Sequence, residues 1–199
     1  MSMKLKSKGC NVYLVRSGDK RYLIDVGTDG KLIAEQLKEL DGVIITHAHF
    51  DHIAGARELE RIFGCPFFAH PEELPYVFKE REFSFTGIMG KLAKLAERMS
   101  RFIPPENVRS VYELKDLRIM HTPGHTPGSI CVLHEGKNYC GDLLRGNAKL
   151  SRKNFCQSYE RYLESVRTVL SLDWEKAFPG HGKEVAKDVA IKKLQYLLK

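Results

Sequence analysis

Thr46-His47-Ala48-His49-Phe50-Asp51-His52 lies between the short apolar run Val43–Ile45 and the stretch Ile53–Phe63, whose apolar residues recur at helical spacing. A run of three apolar residues after a turn fits a buried strand, so the heptapeptide sits where a strand hands over to a helix. His47 and His49 stand two apart; in extended backbone their side chains leave on the same side and can grip one cation. Asp51 and His52 fall at the turn into the helix, where the chain changes direction and a second ion comes within reach. Crowding these four groups at a strand end would be costly without a cation to bind and neutralise them.

Outward from this segment the pattern alternates strand and helix. Towards the N-terminus, Asn11–Arg16 and Arg21–Val26 read as a hairpin closed by Ser-Gly-Asp-Lys, and Lys31–Leu40 reads as a helix ended by the turn Asp41-Gly42. Towards the C-terminus, Pro66–Ala69 is a short strand. The strands Leu117–His121, Ser129–His134 and Lys137–Cys140 follow, then a helix over Ser158–Leu172, a strand Lys176–Phe178 and a helix over Glu184–Leu198. Such alternation predicts α/β layers with sheets covered by helices. Residues 71–105 depart from it: two helices, around Glu72–Lys79 and Gly87–Phe102, flank Phe83-Ser84-Phe85. We read them as a helical insertion packed over one edge of the sheet, placed to serve as a lid, with Phe83, Phe85 and Met89 available to wall a pocket. The 199 residues fit a single domain, 1–199.

Three later positions add ligand-type side chains at predicted strand ends or in tight loops. His125 lies in Thr122-Pro123-Gly124-His125-Thr126-Pro127-Gly128, where two Pro-Gly turns would hold an imidazole rigidly; Asp142 follows Tyr139-Cys140-Gly141; His181 lies in Phe178-Pro179-Gly180-His181-Gly182. Each alone is commonplace, but together with the first segment they make five imidazoles and two carboxylates that one sheet edge could gather. Two divalent cations so held would acidify a bridging water and polarise a carbonyl or phosphoryl oxygen, without any serine or cysteine nucleophile. Asp51 could orient the resulting hydroxide while ligating a metal. An all-nitrogen-and-oxygen ligand set suits zinc first, and iron or manganese as well.

In this order, HAHFDH, TPGHTPGS, YCGD and PGHG resemble the metallo-β-lactamase superfamily, and especially its glyoxalase II-like hydrolases. Tyr13-Leu14-Val15 and Leu23-Ile24-Asp25-Val26-Gly27 extend the resemblance to the family's opening hairpin, so it covers nearly the whole chain. It implies an αββα sandwich of two mixed sheets with helices outside and a metal cleft along one edge. It further implies that His47, His49 and His125 serve a first metal, Asp51, His52 and His181 a second, and Asp142 bridges both. Asp25 matches a structural acid near the metal loop, and a strand-ending turn is its alternative reading.

The resemblance also narrows the substrate. Glyoxalase II enzymes carry a C-terminal helical domain and a Lys/Tyr-bearing segment that engage glutathione. Here the chain ends soon after His181 and Leu143–Ser151 holds no tyrosine, which argues against glutathione thioesters and for a simpler ester, thioester or lactone. Arg145 and Lys149 are the nearest candidates to anchor an anionic group, with His70 a third substrate candidate. His121, His134 and Cys140 read as structural.

Composition bounds the alternatives. A net charge of +7, from 32 basic and 25 acidic residues, favours a small anionic substrate in a general way. The basic residues are interleaved with apolar ones, which disfavours nucleic acid as a partner. No apolar run is long enough to span a bilayer, so no membrane partner is expected. Cys10, Cys65, Cys131, Cys140 and Cys156 form no CxxC pair and point to a cytoplasmic protein with free thiols. A dimer through the insertion is one arrangement open to it. The competing activities are a mononuclear-iron persulfide dioxygenase and a phosphodiesterase or nuclease; a non-catalytic metal-binding module ranks last because all seven ligands are present.

Overall fold

Side chains alternate along the strands and sort the apolar residues into three layers. On the strand carrying Tyr22, Leu23 and Ile24, the first and third face a central layer shared with Tyr13, Ile44, Val132 and Tyr139, while Leu23 joins Val43, Ile53 and Leu59 on the outer, helix-covered side. Cys131 and Leu133 face outward in the same way beneath Tyr162, Val166 and Leu170. The computed structural model describes residues 2–100 and 102–198, excluding the side chains of Met89, Ala93 and Ala96.

The first sheet has six strands in sequence order: β1 (Ser2–Leu5), β2 (Val12–Ser17), β3 (Lys20–Ile24), β4 (Gly42–Ile44), β5 (Phe67–Ala69) and β6 (Val108–Ser110). β1, β2 and β3 pair antiparallel, whereas β3 through β6 run parallel. The second sheet comprises β7 (Arg118–His121), β8 (Ile130–His134), β9 (Lys137–Gly141), β10 (Lys176–Pro179) and β11 (Val185–Ala186), in the order β11-β10-β9-β8-β7 with only β9 and β10 parallel. Helices α1 (Gly30–Ala34), α2 (Phe50–Ile53), α3 (Ala56–Phe63), α4 (Leu74–Val77) and α5 (Gly87–Ser100) belong to the first half of the chain, α6 (Tyr159–Ser171) and α7 (Lys187–Leu194) to the second. Two mixed sheets face each other with helices outside, the expected αββα sandwich.

Parallel neighbours end on the same edge, and this gathers the functional loops. β3, β4 and β5 run out into Asp25, Thr46 and His70; β9 and β10 run out into Asp142 and His181. The two edges are tied to each other, because Ile130 N–H donates to the Thr46 carbonyl at 3.0 Å and Asn11 N–H to the Gly180 carbonyl at 2.7 Å.

Some expected elements differ. The helix expected over Lys31–Leu40 is confined to Gly30–Ala34, since beyond it Gln36 and Leu37 donate to carbonyls only three residues back and the Gln36 amide turns to Lys6. β1, β6 and β11 have only partly buried or very short side-chain patterns and so leave no apolar alternation to read. Residues 71–105 connect the parallel strands β5 and β6, and Leu74, Val77, Phe83 and Phe102 pack into the outer core of the first sheet, so the helical insertion is the crossover between these strands and shares that core.

Candidate metal centre

β4 ends at Ile44, and Ile45 still donates to Phe68 in β5 at 2.9 Å before the chain leaves the sheet. His49 is extended (φ −62°, ψ 141°) and caps α2 without a side-chain hydrogen bond, which leaves its ring free. Asp51 and His52 occupy the first turn of α2. From the second sheet, the loop after β7 delivers His125, the end of β9 delivers Asp142, and the end of β10 delivers His181.

All seven groups converge, in two clusters. In the first, His49 Nδ1 stands 3.1 Å from both His47 Nε2 and His125 Nε2. In the second, His181 Nε2 stands 3.3 Å from His52 Nε2 and 3.1 Å from Asp51 Oδ2. Asp142 lies between them: Oδ1 is 3.5 Å from His181 Nε2 and 3.7 Å from His52 Nε2, while Oδ2 is 3.8 Å from His125 Nε2. A Cβ on Gly180 would stand 2.5 Å from the His52 ring and 2.9 Å from Asp142 Oδ1, so glycine is what lets these groups approach.

Hydrogen bonding among the seven does not account for this arrangement. The single lone pair of His49 Nδ1 cannot serve two converging nitrogens, Asp142 Oδ1 is buried with no hydrogen-bond partner, and His49 Nε2 is likewise unpartnered. Ligand atoms about 2.1 Å from a common tetrahedral ion stand about 3.4 Å apart, close to the spacings seen. Burial, reinforced by the neighbouring histidines, holds His47 and His125 well below the usual histidine range, and burial pushes His49 down to about 4. The rings are therefore neutral at working pH, with lone pairs available to a metal. Burial opposes the charge on Asp51, but the His181 hydrogen bond and the nearby His52 outweigh it and hold the carboxyl below its ordinary range.

A second layer orients these ligands. Asp25 is buried and accepts from Thr46 N–H through Oδ1, and from Thr46 Oγ1 and His52 Nδ1 through Oδ2, each at 2.8 Å. Donating Nδ1–H to Asp25 leaves the His52 Nε2 lone pair facing the cluster. Thr46 Oγ1 is also 3.1 Å from His47 Nδ1. Behind Asp142, Ser151 Oγ donates to its carbonyl, and Tyr162 Oη donates to the Leu143 carbonyl and accepts from Ser151 N–H, all at 2.7 Å.

The clusters open into a cavity of about 190 Å³, with Phe50, Phe85, Phe155, Glu97, Arg145 and Ser151 completing its walls. With this geometry in view, the family comparison is decisive: the model described as "Metallo-beta-lactamase superfamily" matches residues 6–181. The chain belongs to that superfamily. "Probable metallo-hydrolase MJ0888" of Methanocaldococcus jannaschii is 31% identical over 198 residues, spanning 92% of this chain and 93% of that protein. "Hydroxyacylglutathione hydrolase GloC" of Haemophilus influenzae is 27% identical over 165 residues, spanning 74% and 72%. A crystal structure of TTHA1623 in a di-iron-bound form superposes with a TM-score of 0.73 at 28% identity, covering 90% of this chain and 91% of that one. The chain is thus a metallo-hydrolase of the metallo-beta-lactamase superfamily, whose members bind divalent metals, and its paired clusters match a binuclear centre.

Within this superfamily frame the remaining sequence-based candidates divide. Arg145 lines the cleft, whereas Lys149 lies in an adjoining groove lined by Arg145, Arg152 and His181. His70 is a correction: it does not line the cleft. Its ring stacks on His121 at 3.7 Å, Nε2 donates to Tyr112 Oη at 2.9 Å and Nδ1 accepts from Glu72 N–H, so both nitrogens are committed. His121 and His134 donate to the carbonyls of Pro127 and Arg16, and Cys140 donates to the Leu144 carbonyl within the outer core, as structural residues. Phe85 does wall the cleft, while Phe83 packs edge-on against His49 at 4.7 Å; the wall expected of Met89 lies outside the described side chains. Thr46, Ser151, Tyr162 and Glu97 were not singled out by sequence reasoning. Only Thr46 carried a signal, its place inside the metal segment. No helix among the described residues is long and apolar enough to cross a membrane.

Proposed function

We propose that the chain is a binuclear hydrolase of small esters, thioesters or lactones that carry an anionic group. One observation carries the reading: Asp142 presents one carboxylate oxygen to a buried ligand cluster and the other to a half-buried one at the floor of a cleft. His47, His49 and His125 would hold the first ion, Asp51, His52 and His181 the second, with Asp142 shared. Two zinc ions are the preferred pair for this nitrogen and oxygen set, with iron the main competitor given the di-iron relative. Such ions supply Lewis acidity, which makes water a nucleophile near neutral pH and polarises a carbonyl oxygen.

The chain's own side chains supply binding and orientation. Asp51, deprotonated at the cleft edge, is placed to accept a hydrogen bond from attacking water and fix its direction. Phe50, Phe85 and Phe155 give the acyl portion apolar walls. Arg145 N–H and Lys149 N–H donate to each other's carbonyls at 2.8 and 3.1 Å, an antiparallel bridge whose directly opposed side chains leave on one face. That face, continued by Arg152, suits a carboxylate or phosphate on the substrate's tail. The GloC relative supports thioesters among the candidates. Five free buried thiols fit a reducing, cytoplasmic setting.

The test is a panel of thioesters, lactones and bis-p-nitrophenyl phosphate offered to the protein after metal analysis. Hydrolysis of an acyl substrate with two metals per chain is expected, lost in Asp142→Ala with the circular dichroism spectrum retained. Arg145→Ala should raise KM for anionic substrates about tenfold while sparing neutral ones, the share of one charge-assisted bond of about 1.4 kcal/mol. Full activity in Asp142→Ala would end this reading, and oxygen consumption or phosphodiester cleavage without acyl hydrolysis would replace it.

A further inference from the structure

Glu73 is a buried ionisable group for which the hydrolytic reading has no use. It lies in the turn that follows β5, ahead of α4, with 1% of its surface exposed. Its carboxylate joins two loops that are far apart in sequence. Oε1 accepts the Ala48 N–H at 2.7 Å, while Oε2 accepts the Thr126 hydroxyl and the Gly128 N–H, each at 2.8 Å. The Thr126 hydroxyl is held in turn by Ser129 Oγ at 2.7 Å, and Ser129 Oγ accepts the Thr126 N–H at 3.0 Å. A Cβ at Gly128 would stand 2.5 Å from the Glu73 nitrogen and 2.8 Å from Oε2, so the loop is built around this carboxylate.

The partners have a particular relation to the metal ligands. Ala48 sits between His47 and His49, and Thr126 directly follows His125. All three histidines of the first cluster are therefore within one residue of a group that Glu73 holds. No ligand of the second cluster is attached this way: His52 is held from β3 by Asp25, and Asp51 and His181 hold each other.

We propose that Glu73 is a positioning residue for the first metal site, its carboxylate clamping the His47–His49 backbone to the His125 loop so that three imidazole nitrogens meet at one point. The inference rests on the binuclear reading above. An acceptor-only group is required, because all three partners donate; an amide places its NH2 against at least one of them. Fixing a ligand through its backbone acts on metal affinity as hydrogen bonds to ligand side chains do, where loss of the supporting group costs 10–100-fold.

Metal-free wild type and Glu73→Gln are titrated with Zn²⁺ against a chromophoric chelator, with His125→Ala and His181→Ala defining which binding step belongs to which cluster. Glu73→Gln is expected to weaken the step lost in His125→Ala by about 10–100-fold and to leave the step lost in His181→Ala unchanged. Thr126→Val, which removes one donor at constant volume, should weaken the same step to a smaller degree and serves if the first variant fails to fold. Two unchanged steps, or equal weakening of both, overturn the proposal and leave Glu73 a general buttress. If wild type itself takes up neither zinc nor iron, the binuclear reading fails, and does so independently of Glu73.

Discussion

Replacing Asp25 by Asn isolates the charge and acceptor capacity of the group that orients His52. Asp25 adopts a left-handed backbone (φ 61°), which Asn tolerates equally well, so the substitution does not disturb the turn. The cheaper amide orientation keeps its oxygen at the Oδ2 position, facing Thr46 Oγ1 and His52 Nδ1, and turns NH2 towards the Thr46 N–H. One buried donor then loses its acceptor, at about 1–3 kcal/mol, and two remaining bonds lose charge assistance, at roughly 1 kcal/mol together. A loss of about 2–4 kcal/mol is a large share of a typical total of about 5–15 kcal/mol. For a chain of this size it corresponds to a fall in Tm of about 4–16 °C. Urea unfolding of the metal-free protein reads this term directly. With His52 no longer fixed in the tautomer that frees Nε2, zinc affinity measured against a chelator should fall by about 10–100-fold. A variant within about 0.5 kcal/mol of wild type, with unchanged zinc affinity, would show that Asp25 merely closes a turn.

Other outcomes follow from the same geometry. Tyr162→Phe removes the hydroxyl that bridges Ser151 N–H and the Leu143 carbonyl, both beside Asp142. It should cost about 2–3 kcal/mol in denaturant unfolding, and a neutral effect would mean that these backbone groups find other partners. His70 is pushed down to about 4, chiefly by burial and then by His121, against about 6.5 when unfolded. The folded state thus favours the neutral ring, and its contribution is complete above pH 6.5 and lost as pH falls through 4. The stability gap between wild type and His70→Gln should therefore shrink by about 3 kcal/mol from pH 7.5 to pH 4. A gap that does not vary with pH would contradict this.

The metal ligands were legible because their chemistry is local. His47 and His49 alternate in extended backbone, Asp51 and His52 follow within one turn, and an unneutralised crowd of such groups at a strand end has no bland explanation. His125, Asp142 and His181 each follow a strand with a Gly-bearing turn, and that pattern also lies within short windows. The sandwich followed from the resemblance that these motifs carry, not from periodicity: Tyr22, Leu23 and Ile24 are all apolar, and their division between two layers shows only in the structure.

What the tertiary structure alone decided is the company each side chain keeps. His70 was a substrate candidate from its place at a strand end, yet stacking on His121 and a bond to Tyr112 remove it from the cleft. Glu73, one of many acids on a predicted helix, gains its place only when β5 lies beside β4 and brings the turn after β5 under Ala48. β1 and β6 form because neighbouring strands offer unpaired backbone groups in register, a demand their own side chains do not announce. Local spacing fixes which groups can share an ion; the pairing of distant strands fixes which of them do, because hydrogen bonds and burial depend on neighbours that the chain order does not name.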